Sequence, residues 1–268
     1  MLSPVDIIPP AAVLSAALGP ALAAGARSVG AACEHAGETR PSDREVPPAM
    51  PYSAPDRLAD LPYAELLRPH TGRLRSDERY DTAHFDGGAY VDQSAAGATF
   101  LECAFTGVEF SGVKLRQARF TEVWAQSGRW VACDLSDSEW QDSAFVGGVL
   151  AGIAAHGSAL RRVVFRGCKL EAVNLRAAVL RDVVFEDCLL RDVDFGDAKL
   201  TEVSFPGSTL EEVRLRGATL SKTDLRGAAR LGLPDGHLGL RGAVISSTQL
   251  LELAPQFAHA LGITVQDR

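Results

Sequence analysis

The chain has 268 residues, is 46% hydrophobic and carries a formal net charge of −7. That apolar share supports a sizeable core, and the mild acidity argues against a general nucleic-acid or anionic-membrane binder, since both need basic surface. No apolar run approaches the ~18 uninterrupted residues of a membrane-spanning helix.

Cys33, Cys103, Cys133, Cys168 and Cys188 form no Cys-x-x-Cys pair and have no histidines at zinc-ligand spacing. They read as reduced, buried thiols of a cytoplasmic protein. Taken in chain order, residues 1–49 are Ala/Pro-rich and read as a disordered or non-native extension, with Met50 as an alternative start. Within them AAVLSAALGPALAAGA (11–26) has the apolar look of a signal-peptide core, but the preceding MLSPVDIIPP has no Lys or Arg and carries Asp6. Residues 50–79, including APDRLADLPYAELLRPH, read as an N-terminal cap.

From Tyr80 onward a large apolar residue recurs at every fifth position: Tyr80, Phe85, Tyr90, then Phe100 through Leu225, with Ala125 and Ala155 the small exceptions. Five residues of α-helix turn by about 500°, which winds the side chains around the surface, and on a strand every fifth residue changes face. A second position, two residues before each centre, is small or medium: Val163, Cys168, Val173, Ala178, Val183, Cys188. Burying one large and one small side chain per five residues demands an equal turn each time, so four units close a square coil of twenty. Coils stacked ~4.8 Å apart satisfy each other's backbone hydrogen bonds. Residues twenty apart then stack. Gly87, Gly107, Ser127, Gly147, Gly167, Asp187, Gly207 and Gly227 form a corner column suited to positive φ, and Cys168 lies over Cys188. Ile153 beside Ala155 reads as volume compensation.

LGLPDGHL (231–238) interrupts the pattern, after which Leu240 and Ile245 rejoin it. Ser246 and Gln249 form a capping box, followed by two short helices split at Pro255 and ended by Gly262. Leu250, Leu251, Leu253, Phe257 and Leu261 give residues 246–268 more apolar surface than a cap needs.

RAAVL, GDAKL, RGATL and KTDLR make residues 80–245 resemble the bacterial pentapeptide-repeat family. The resemblance implies an all-β solenoid, a right-handed quadrilateral β-helix with short helical caps at its C-terminus. By the same resemblance to topoisomerase-protecting members, the C-terminal end would form a homodimer contact; a folded-back cap is the other reading. One departure is that acidic residues such as Asp182 and Asp192 often sit one place earlier than the family pattern.

The chain carries no GxxxxGK[ST], HExxH or GxSxG, and His35, His70, His84, His156, His237 and His259 are scattered over caps, loops and outward positions. The reading is a non-enzyme without cofactor or metal. What remains is surface. Asp182, Asp187, Asp192, Asp197 and Glu202 put a carboxylate two residues after consecutive centres, a belt around the coil. Glu102, Glu122, Asp142, Arg162, Asp182 and Glu202 stack along one edge, with Arg161, Arg181 and Arg191 beside the acids to neutralise charge. These carboxylates are the candidate partner-binding residues. The resemblance implies one specific partner, DNA gyrase, which family members occupy as DNA mimics. Residues 80–227 hold 21 acidic and 16 basic residues, whereas ~36 Å of B-DNA carries about twenty negative charges. A protein-binding module or scaffold and a weak or one-faced gyrase mimic therefore both stand.

Overall fold

The computed structural model describes residues 54–234 and 239–266, most of the unit Ala49–Arg268. The readings of residues 1–49, including Cys33, His35 and the alternative start, lie outside the described residues. Every fifth residue from Asp77 to Lys222 has a left-handed backbone, with φ between 48° and 74°. These are the corners. Four of them turn each coil, so the Gly87 column is one of four equivalent columns. Gly227, at its end, falls outside the positive-φ set.

Residues twenty apart pair in parallel, and the coils build a β-solenoid of about eight turns. The first pairing joins β1 (Arg68–Pro69) to β2 (Ala83–Asp86). In mid-molecule β3 (Glu139–Val146), β4 (Ala159–Arg166) and β5 (Val179–Glu186) run through a corner, so one 12-stranded sheet covers two adjacent sides. An 8-stranded sheet covers the third side. Isolated bridges through Ser94, Lys114, Asp134, Ala154, Asn174, Asp194 and Arg214 hold the fourth. On that side Asp134, Asn174 and Asp194 accept, through their side-chain oxygens, the backbone N–H two residues on. These are Asx turns, so the acidic residues form two sets: turn formers before the centre, and corner residues such as Asp182 and Asp192.

The centres are buried as the period demands. Phe145, Phe165, Phe185 and Phe205 stack at 4.9–5.1 Å. On the next side Tyr80, Phe100 and Phe120 stack at 4.9 Å, with Trp140 closer at 3.7 Å. Ala125 leaves a gap between Phe105 and Phe145 that Trp130 enters from the third side, 6.0 Å and 5.3 Å from the two rings. Ala155 is compensated less fully: Ile153 takes part of the space, and a cavity of about 30 Å³ remains among Leu135, Ile153, Ala155 and Leu175. Cys103, Cys133, Cys168 and Cys188 are free and buried.

The described part of the N-terminal segment has two portions. Residues 68–79 do close the end, with His70 against the rings of Tyr80 and Phe85 at 5.3 and 4.6 Å. Residues 54–67, however, run as a strap along the outside of the second side. There the residue before each centre is apolar: Ala104, Trp124, Ala144, Val164 and Val184. With Ala54, Leu61 and Tyr63 most of them form a second core, separate from the coil interior. Tyr63 Oη donates to the Glu122 carbonyl (2.6 Å), Trp124 Nε1 donates to Pro55 O (2.9 Å), and Arg166 pairs with Asp56.

At the other end Arg230 and Leu231 pair with Thr209 and Leu210, a slip of one residue. The twenty-residue register returns when β6 (Thr223–Asp224) pairs with β7 (Ala243–Val244). One helix follows, α1 (Ser247–Ala260), which runs through Pro255 and corrects the expectation of two. Proline removes only the bond to the carbonyl of Leu251, a residue 75% exposed, where water can serve the freed oxygen. Both capping-box bonds are made, and Gly262 (φ 70°) ends the helix. Gln249 also reaches beyond its own helix. Its Nε2 donates to Leu225 O at 2.7 Å, satisfying a carbonyl at the open end of the solenoid.

Candidate functional site

The carboxylates of the belt owe their positions first to backbone geometry. Asp182, Asp187, Asp192, Asp197 and Glu202 are all corner residues with φ of 51–59°. Asp tolerates this region better than most side chains, because its short polar group bonds locally. Successive members lie at successive corners, so the belt winds around the coil and no side of the solenoid displays all of it. Asp182 and Glu202 return to one corner on adjacent coils, and there Glu102, Glu122 and Asp142 join them in a column.

Salt bridges neutralise four of these eight carboxylates. Arg162, itself in the column, forms a two-pronged pair with Asp142, one prong at 2.6 Å. Lys222 bonds Glu202 at 2.7 Å, Arg214 approaches Asp192 at 2.7 Å, and Arg176 bonds Asp197. Arg161 and Arg181 make no ion pair among the described residues, and Arg191 pairs with Glu211. Direct pairing of the belt therefore falls to other cations, while Arg161 favours the charged Asp142, and Arg181 the charged Asp182 and Glu202, through space. The sequence signal was available: Asp142 and Arg162, like Glu202 and Lys222, stand twenty apart.

Hydrogen bonding to Arg162 holds the Asp142 carboxyl below the usual carboxylate range. Asp182 is pushed the other way, first by partial burial and then by the adjacent Glu202. Lys222 in turn lowers Glu202. Glu102 and Glu122 have no ion pair among the described residues. Asp187 lies against Gly207 twenty residues on, where a Cβ would collide with its carboxylate. Asp77 and Gly97, Asp92 and Gly112, Asp137 and Gly157, and Asp197 and Gly217 repeat this arrangement.

The C-terminal residues separate into two groups. Leu253 is buried against the coil end, Phe257 is half-buried, and Leu250, Leu251 and Leu261 are exposed, with Leu261 at 76%. Among the described residues no cluster of three His, Cys, Asp or Glu side chains could hold a metal ion, and no helix is long and apolar enough to cross a membrane. His84 bonds Thr106 at 3.0 Å, and His156 faces outward on the bridged side. Burial of the thiols pushes Cys103 up to about 12 and Cys133 up to about 11, so neither is a ready nucleophile.

Residues 138–215 match the family model described as a pentapeptide repeat region, and residues 92–121 match that for pentapeptide repeats (8 copies). Among solved structures, a trypsin-treated variant of QnrB1, a plasmid-mediated fluoroquinolone resistance protein, is similar at 21% identity and TM-score 0.36. That match covers 68% of this chain and 99% of QnrB1. HetL, a pentapeptide repeat protein involved in heterocyst differentiation regulation from the cyanobacterium Nostoc sp. strain PCC 7120, is similar at 18% identity and TM-score 0.33, over 62% and 81% of the two chains. Rfr23 from the cyanobacterium Cyanothece 51142 is similar at 15% identity and TM-score 0.27, over 59% and 89%. No curated protein matches the sequence.

Proposed function

Since the chain is a pentapeptide-repeat protein, we propose that it acts without catalysis, as a cytoplasmic protein-binding module or scaffold. The observation that carries this reading is the division of labour in each repeat. Two of every five side chains fill the coil, and the others stand at fixed positions on the outside, spaced ~4.8 Å along the axis. A filled interior leaves the polar groups outside on a rigid lattice, which suits recognition of another macromolecule. A photo-crosslinking residue introduced in vivo at corner positions such as 187 or 212 tests it: a discrete adduct at one face is expected. Absence of adducts from every face would sink the reading.

A second reading, a DNA mimic that binds gyrase, is favoured by one feature, the unpaired Glu102 and Glu122 at one edge. The paired state of Asp142, Asp192, Asp197 and Glu202 weighs against it. Its test is a gyrase supercoiling assay with and without a fluoroquinolone. Under this reading the protein alters the assay, the effect fades with added salt, and Glu102→Gln with Glu122→Gln abolishes it. No effect from folded protein eliminates gyrase as the partner. Self-association belongs to the same proposal: Leu250, Leu251 and Leu261 offer apolar area for a homodimer contact through the C-terminal end. Light scattering should report a dimer that Leu251→Glu with Leu261→Glu converts to monomer, whereas a folded-back cap predicts monomer for both.

A further inference from the structure

On the side of the solenoid that carries Phe120, Trp140 and Leu160, a cleft of about 370 Å³ opens among Arg119, Glu139, Ala159, Arg161, Val179 and Arg181. Its origin is a change of side-chain length along one row. The residue before each centre reads Arg119, Glu139, Ala159, Val179, Lys199, so two short apolar side chains lie between long charged ones. Val179 is 46% exposed and forms the floor with Ala159. Arg161 and Arg181 form one wall, directly opposite each other in the register of β4 and β5.

The two guanidinium groups emerge from strands ~4.8 Å apart, and like charges placed opposite one another destabilise a sheet. The acidic groups nearby are governed first by other neighbours. Glu139 pairs with Arg119, and Asp142 with Arg162. Asp182 is pushed up first by partial burial and then by the adjacent Glu202, and Arg181 offsets this only through space. Lys199, on the next coil, adds positive charge. Arg161 and Arg181 act on Asp142, Asp182 and Glu202 only through space and make no ion pair among the described residues, so their planar guanidinium forks beside an apolar floor are free to hold one further carboxylate between them.

We propose that this cleft docks an acidic segment of a protein partner, with one carboxylate bridging Arg161 and Arg181 and a neighbouring aliphatic side chain on Val179 and Ala159. None of the belt carboxylates lines the cleft.

The test uses the full chain, with the arginine Nε–H signals followed by nuclear magnetic resonance. The probe is an acetylated, amidated Gly-Glu-Leu-Gly peptide. Saturable shifts confined to Arg161 and Arg181 are expected. Arg181→Gln should weaken binding at least tenfold, as should Glu→Gln or Leu→Ser in the peptide. Val179→Lys should abolish binding, and Asp187→Asn should leave it unchanged. Arg181→Gln removes a like charge opposite Arg161 together with a through-space attraction to Asp182 and Glu202, so its melting temperature should stay close to the parent's. Shifts spread evenly over all arginines would mean simple screening and overturn the proposal. Inorganic phosphate binding as tightly as the peptide would likewise overturn it, by showing an anion site indifferent to the aliphatic group.

Discussion

A left-handed corner costs an ordinary L-residue ~1–2 kcal/mol, and Asp and Gly reduce that cost by different means. Several corner columns carry both: Asp187 on one coil lies against Gly207 at the same corner of the next coil, where a Cβ would strike the carboxylate. Asp187→Asn should therefore leave the urea midpoint nearly unchanged, whereas Asp187→Val should cost ~1–2 kcal/mol. Gly207→Ala should destabilise by more, because it adds the collision with the Asp187 carboxylate to the strain at φ 66°, and adding Asp187→Gly should recover only the collision's share. Ionisation at the Asp182 corner makes a second test. Asp142, with a lowered folded pKa, contributes stability that is present above its unfolded value of ~3.9 and lost as pH falls through the folded one. Asp182 is raised, so its charge opposes folding above its folded pKa, and acidification relieves that. Asp182→Asn should stabilise the fold by ~0.5 kcal/mol at pH 7, read as a higher melting temperature, and lose the gain in acid. Asp142→Asn should lower it at pH 7 and flatten the acid limb. The carboxylate positions were legible in the sequence; their cause was not. A one-in-five acidic pattern looks like selected surface until the dihedral angles show that the corner itself favours Asp.

At the scale of elements, the coil was legible because its period repeats some thirty times, and the strap was not because residues 54–67 have no period. Its trace lay elsewhere, in the outward apolar series Ala104, Trp124, Ala144, Val164 and Val184, which recurs only every twenty residues. A single helix survived Pro255 because the bond it deletes faces water, a fact about orientation that spacing does not carry. The strap contact has a measurable weight. Trp124→Ala removes a buried indole from the second core and should cost ~3–5 kcal/mol by chemical denaturation. Tyr63→Phe, which loses the bond to the Glu122 carbonyl, should cost ~1 kcal/mol. If both proved neutral, the strap would be an ornament on an independently stable solenoid.

For the molecule as a whole, the interior is a stack of nearest-neighbour contacts, so a local defect is felt locally. The cavity at Ala155 is such a defect, and Ile153 already occupies part of it. Ala155→Leu alone should overpack and cost ~1–2 kcal/mol, while Ala155→Leu with Ile153→Val, which restores the pattern of neighbouring coils, should raise the melting temperature. Additive effects in this double-mutant cycle would show that the two side chains do not share the space. The strap acts over a longer range than any of these contacts. Asp56 meets Arg166, and the chain between them makes a closed circuit that spans the lower coils. An untied solenoid frays from both ends, one turn at a time. Here the first turn cannot lift away until the strap has left every turn it crosses. Backbone amides between residues 83 and 166 should then exchange with deuterium in a single cooperative opening, while those beyond Glu186 open turn by turn from the helical end, so the tie turns half of a one-dimensional stack into a unit that opens all at once or not at all.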